Sequence, residues 1–243
     1  MKKKLLLIGG VLAVLIAAYL LWTYRPAAPA SPPLAEPAEP DATADSTVAE
    51  YTSPIDFPAL QERCGDIYAW LDIPDTDISY PLVQNADDTY YLTHDIDGNY
   101  AAEGALFTES AYNGTDMTDP VTVIYGHRMN SSVMFSTLQK TYSDAESFAA
   151  HREVVLYLPE QEIHATVFAA VPYDNRHILY NYNFENARMT RLFLNSVREV
   201  RAIGANMEPD DFPAEGDRML ILSTCLQGNR QMRYLVLAKW TPS

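Results

Sequence analysis

Apolar and polar positions divide the chain into stretches of different character. Residues 1–4 carry three lysines, and residues 5–24 (LLLIGGVLAVLIAAYLLWTY) follow without a single charge. Twenty uncharged, mostly apolar residues are what a helix needs to cross a bilayer, so this stretch predicts a transmembrane anchor. Trp22 and Tyr24 stand where an interfacial aromatic belt would be, and lysines on the leading flank put that end in the cytoplasm. The rival reading is a cleaved secretory signal, for which Ala28-Pro29-Ala30 offers small residues of the cleavage-site type. Residues 25–50 are rich in Pro and Ala with few large apolar side chains, so they cannot offset the entropy of ordering a core and read as a semi-rigid stalk. In polyproline II geometry about 25 residues at about 3.1 Å each reach roughly 75 Å.

From residue 51 to 243 the pattern is that of one folded domain without internal repeats. Leu60, Cys64, Ile67, Tyr68 and Leu71 recur at helical spacing and predict a helix over 57–71. Short β-like runs follow at 80–83, 104–108, 121–125, 154–158, 163–171, 219–224 and 232–239. A second helix is predicted over 187–203, with Met189, Leu192, Phe193, Val197 and Val200 on its apolar face and Gly204 as its stop. Short strands at this density, interrupted by one helix, indicate a mainly β domain of the barrel or sandwich kind.

Charge narrows the partners. The chain has 17 basic and 32 acidic residues; without Lys2, Lys3, Lys4 and Arg25 the basic count falls to 13, leaving a formal charge of −19. Phosphate binding needs the opposite sign, so nucleic acid is not an expected partner. Arg188, Arg191, Arg198 and Arg201 cluster on the second helix, where they read as a solvated face.

The chain lacks a phosphate-cradling G-x-x-x-x-G-K, a zinc-type H-E-x-x-H, a C-x-x-C pair and a dinucleotide-binding G-x-G-x-x-G, so no metal or cofactor is expected. What remains is a cysteine in an unusual place. Residues 219–225 (MLILSTC) run as an apolar strand into two hydroxyls and a thiol, and after a short loop the chain returns from Arg233 as RYLVLAKW. A hairpin there sets Cys225 and Arg233 across one mouth. The thiolate is the reactive form of a cysteine, and a fixed cation beside it favours that form. His127 directly follows an apolar strand, with Gly126 permitting a sharp bend that leaves the imidazole at a rim. His94, His151, His164 and His177 lie among polar neighbours and read as solvated surface groups.

Tyr125-Gly126-His127 followed by Met134-Phe135, then Leu222-Ser223-Thr224-Cys225, then an arginine opening the last strand, together resemble the signature of the sortase family. The order of YAWLDIP (68–74), ISYPLVQ (78–84), YYLTHD (90–95) and GALF (104–107) is similar to that of class B sortases, and so is a helix inserted between two late strands. The resemblance implies an eight-stranded β-barrel with an N-terminal helix and a helical insertion. It implies an enzyme that cleaves a C-terminal sorting signal of a secreted protein after a threonine and joins the acyl group to an amine of a cell-wall precursor or another protein. In this scheme Cys225 is the nucleophile, His127 the acid and base, and Arg233 the oxyanion stabiliser. Ser223 and Thr224, with Tyr180 and Tyr182 in the aromatic-rich segment before the helix, are the expected substrate-binding residues. The catalytic domain would lie outside the cell, held to the membrane by the N-terminal helix.

Two other readings fit the same residues. Water in place of the amine makes the chain a surface cysteine hydrolase. A disulfide between Cys64 and Cys225, its two cysteines, makes it a stalked binding module without chemistry.

Overall fold

The computed structural model describes residues 51–242; the predicted cytoplasmic end, anchor and stalk lie outside them. Among the described residues no helix is long and apolar enough to cross a membrane.

The chain enters through α1 (Phe57–Arg63), whose N-cap Asp56 accepts a hydrogen bond from the Ala59 amide. β1 (Ile67–Asp72) and β2 (Ser79–Val83) form an antiparallel pair. β3 (Leu106–Phe107) runs parallel to β2, and β4 (Val121–Tyr125) antiparallel to β3. Two short helices, α2 (Leu138–Ser143) and α3 (Ala145–Ala150), lead to β5 (Glu153–Tyr157) and the long β6 (Glu162–Asp174). A four-residue α4 (Ile178–Asn181), α5 (Ala187–Arg198) and a two-residue β7 (Asn206–Met207) precede the final hairpin of β8 (Arg218–Leu226) and β9 (Asn229–Trp240).

Strand order is β5-β1-β2-β3-β4-β8-β9-β6, and β5 pairs with β6, so eight strands close into a mixed barrel with β7 as a short addition on β6. Alternation along each strand sorts side chains to two sides. On β8, Leu220 and Leu222 enter the lumen cluster, whereas Met219 and Ile221 join an outer cluster covered by Phe193, Leu194 and Val197 of α5. That burial on both sides is why residues 219–222 read as an unbroken apolar run.

Two expectations about helices are corrected. The first helix stops at Arg63, Cys64 is its extended cap, and residues 67–72 are β1. A register shift between Ile67 and Ala69 sets Tyr68 and Ala69 both against the lumen cluster, while Ile67 and Trp70 join the outer cluster over α1. The bulge breaks the two-residue period, and the remaining apolar spacing imitates a helix. The second helix ends at Arg198, short of Ile203, because the chain must turn to bring Asn206 and Met207 against β6. Leu192, expected on its apolar face, is 49% exposed.

Candidate active site

Two neighbouring pairings meet at one end of β8. β4 and β8 run parallel with Tyr125 opposite Ser223, and the Gly126 amide continues the ladder by donating to the Ser223 carbonyl at 3.1 Å. His127 lies two residues past Tyr125 as Cys225 lies two past Ser223. On the other flank of β8, Cys225 pairs with Arg233 of β9. The ends of β4, β8 and β9 therefore present His127, Cys225 and Arg233 side by side, in that order. By strand alternation Cys225 and Arg233 share the outer side with Ile221 and Leu235, so the thiol borders the lumen without being enclosed by it.

Each group is held. Gly126 tolerates no side chain: a Cβ there would stand 2.4 Å from Leu106 Cδ2 and 2.6 Å from Phe135 Cδ2. The chain then folds back through an Arg128–Met134 bridge, and the Phe135 amide donates to the His127 carbonyl at 3.2 Å. His127 Nε2 lies 2.8 Å from the Leu92 carbonyl oxygen, next to the 3₁₀ turn at Tyr90–Leu92. A carbonyl only accepts, so Nε2 carries the hydrogen and Nδ1 is left to exchange protons at the site. Arg233 Nη1 donates to the carbonyls of Arg230 at 3.2 Å and Met232 at 3.3 Å. Among the described residues Arg233 has no carboxylate within salt-bridge distance, so its charge is not neutralised by the protein.

Tyr125 stacks on Phe107 at 5.5 Å between ring centres. Burial pushes its phenol pKa up, neighbouring Glu109 pushes it further, and Arg233 opposes both.

The other expected residues separate into two groups. Ser223 shares the side of Cys225 and is buried, and Tyr180 on α4 is 76% exposed. Thr224 alternates to the lumen side, where its hydroxyl has no hydrogen-bond partner among the described residues. Tyr182 turns into the core under α5, 8% exposed, and accepts a hydrogen bond from Arg176 at 3.0 Å. Thr224 and Tyr182 are both buried. Cys64 and Cys225 are both free thiols, so the disulfide that a non-catalytic module requires is not formed. Cys64 Sγ sits 3.4 Å from the Tyr91 hydroxyl.

Sequence reasoning missed three groups that hold these loops. The Leu92 carbonyl carries no side-chain signal at all. Glu109 hides behind the GALF strand, and His177, expected to be solvated, pairs with it at 2.9 Å. The one available clue was the spacing of His177 to Tyr180, since a polar residue three positions before a helical amide is a capping pattern. His94 and His151 are also engaged, His94 stacking on Tyr90 and His151 bonding the Ser147 carbonyl at 2.8 Å. His164 alone fits the expectation of an exposed group, between Glu153 and Glu162.

A protein-family profile described as the sortase domain matches residues 71–241. The chain is 30% identical over 168 residues to sortase B of Listeria monocytogenes, covering 68% of this chain and 65% of that protein, slightly under two thirds of its length. It is 23% identical over 185 residues to sortase B of Staphylococcus aureus, covering 75% and 73%. Among solved structures, sortase B from B. anthracis matches with a TM-score of 0.66 at 28% identity, over 77% of this chain and 84% of that one. A Streptococcus pyogenes class B sortase involved in pilus biogenesis matches in fold with a TM-score of 0.64 at 24% identity, over 76% and 97%.

Proposed function

The chain belongs to the sortase family of cysteine transpeptidases, and on that premise we propose that it cleaves a C-terminal sorting signal of secreted proteins after a threonine and transfers the acyl group to an amine. The observation that carries this reading is the meeting of a thiol, an imidazole and an unneutralised guanidinium at the ends of three adjacent strands.

In the first half-reaction Cys225 gives its thiol proton to His127 Nδ1, Sγ attacks the threonine carbonyl carbon, and negative charge gathers on the carbonyl oxygen. Arg233 faces that charge with a fixed planar donor, an arrangement of the kind worth a few kcal/mol of barrier. The C–N bond then breaks, the leaving amine takes a proton from His127 Nδ1, and a thioester remains on Cys225. In the second half-reaction an acceptor amine attacks the thioester carbonyl, gives its proton to the same nitrogen, and Sγ departs. Ser223 and Tyr180 border the path of the peptide.

Work at the outer cell surface suits the N-terminal sequence, in which three lysines precede twenty uncharged residues and a Pro/Ala-rich spacer. The acceptor is then an amine of the wall precursor or of a neighbouring surface protein.

The test is product analysis by mass spectrometry with a panel of sorting peptides, with and without an amine acceptor. Cleavage after threonine, with an amide product that appears only when the amine is added and is lost in Cys225→Ala, is the expected result. The free acid in both conditions would replace transfer by hydrolysis, and turnover by Cys225→Ala would remove the thioester mechanism.

A further inference from the structure

We propose that Glu109 and His177 form a clamp that fixes α4, and with it Tyr180, as the wall of the peptide groove, making the two residues positioning and specificity determinants. The proposal rests on the sorting-peptide reading above and goes beyond it to residues outside the catalytic trio.

The two residues come from loops that approach the same side of the sheet from different strands. Glu109 lies two residues past β3, and His177 is the N-cap of α4, beyond the end of β6. The imidazole Nε2 stands 2.9 Å from one oxygen of the Glu109 carboxylate and 3.1 Å from the other. Its Nδ1 accepts the Tyr180 amide hydrogen at 3.1 Å, and a ring nitrogen that accepts carries no proton. The hydrogen is therefore on Nε2 and is donated to Glu109 Oε1 at 3.1 Å, while Oε2 has no hydrogen-bond partner among the described residues. One ring, in one tautomer, both caps α4 and ties it to the loop after β3.

Both ends of the tie are prepared. The Glu109 side chain is only 17% exposed. Its backbone carbonyl accepts from the amides of Tyr112 at 3.1 Å and Asn113 at 2.9 Å, and Asp88 accepts from the neighbouring Ser110 amide at 2.6 Å. The imidazole sits among the rings of Tyr112, Tyr125 and Tyr180, at 4.8, 6.4 and 6.5 Å between centres. α4, by contrast, is four residues long, far below the length at which a helix holds itself together in water. Ile178 is its one buried side chain, so the position of the largely exposed Tyr180 depends on what holds the N-terminal end. Tyr125 connects the clamp to the site, since its ring lies 6.4 Å from that of His177 and its backbone pairs with Ser223 of β8.

His177→Asn separates the two tasks of the ring, because an asparagine still caps α4 but its shorter amide does not reach Glu109. Glu109→Ala removes the other partner, and Glu109→Gln keeps an accepting oxygen. For thioester formation with one sorting peptide under single-turnover conditions, His177→Asn and Glu109→Ala are expected to raise the half-saturating peptide concentration about tenfold, the low end for a hydrogen bond to a charged group. The limiting rate should stay within about twofold, because β4, β8 and β9 hold the reacting groups independently. Glu109→Gln should retain most of the wild-type affinity, and the double variant should lose no more than either single one. Discrimination between peptides differing at one position should narrow in the same variants. Unchanged half-saturation in both single variants, or additive losses in the double, would overturn the clamp. If the wild type forms no thioester with any peptide, the catalytic reading fails instead, and hydrogen exchange still decides the clamp: the Asn181 and Tyr182 amides should exchange faster in Glu109→Ala, and equal rates would sink it.

Discussion

Arg233 and Arg230 share one hairpin, and on the proposed mechanism only Arg233 meets the developing charge. Arg233 is half-buried opposite Cys225, and its guanidinium is tethered by the Arg230 and Met232 carbonyls. Arg230, the second residue of β9, is exposed, and water screens its charge. Lysine keeps the charge but loses the planar fork, so Arg233→Lys is expected to slow single-turnover thioester formation about tenfold or more. Arg230→Lys should slow it little, and a larger loss at Arg230 would reverse the assignment. Cys225 and His127 stood out in the sequence because each follows a recognisable apolar run, whereas Arg233, expected to open the last strand, is the fifth residue of β9. The burial of Thr224 and Tyr182 was not legible for one reason: the side to which a strand or loop residue turns is set by its partners. Thr224 follows the alternation of β8 to the lumen, and Tyr182 is drawn inward by Tyr173, Phe193 and Arg176.

At the scale of elements, α5 gives the sharpest contrast between pattern and packing. Phe193 is fully buried, against Tyr173, Tyr182 and Phe184, whereas its neighbour Leu192 is 49% exposed. Phe193→Ala is expected to cost about 3–5 kcal/mol in urea unfolding, as large-to-small changes in a core do, and Leu192→Ala well under 1 kcal/mol. Equal costs would mean that α5 docks by a different face. The strands were legible because most alternate cleanly or are apolar throughout, and β4 falls at its expected bounds, 121–125. β1 was hidden by its bulge. β7 is two residues long and is specified by what it pairs with, not by its own composition. The short helices α2, α3 and α4 have too few turns for a helical period to register.

For the whole molecule, long-range pairings carry both stability and order of assembly. Asp211, after β7, receives Arg152 from the start of β5 and Lys239 from β9, at 2.9 Å for the lysine. Lys239 foremost, and Arg152 with it, hold the Asp211 carboxyl below the usual carboxylate range. A depressed acid contributes stability above its unfolded pKa and loses it as pH falls through the folded value. The Tm gap between wild type and Asp211→Asn should therefore be open at pH 6 and close below the ordinary carboxylate range, while a gap constant down to pH 2.5 would show that the ionised carboxylate is not its source. Closure of the barrel also fixes a sequence of events in time. β4 is synthesised early, but its partner β8 arrives about a hundred residues later, and β9, which joins β8 to β6, comes last of all. A chain still emerging from the ribosome possesses its histidine long before its thiol and arginine, and until the final hairpin closes the ring β4 lacks one neighbour. On the proposed chemistry an unfinished or truncated copy is silent by construction: reactivity begins only when the final strand has found its place.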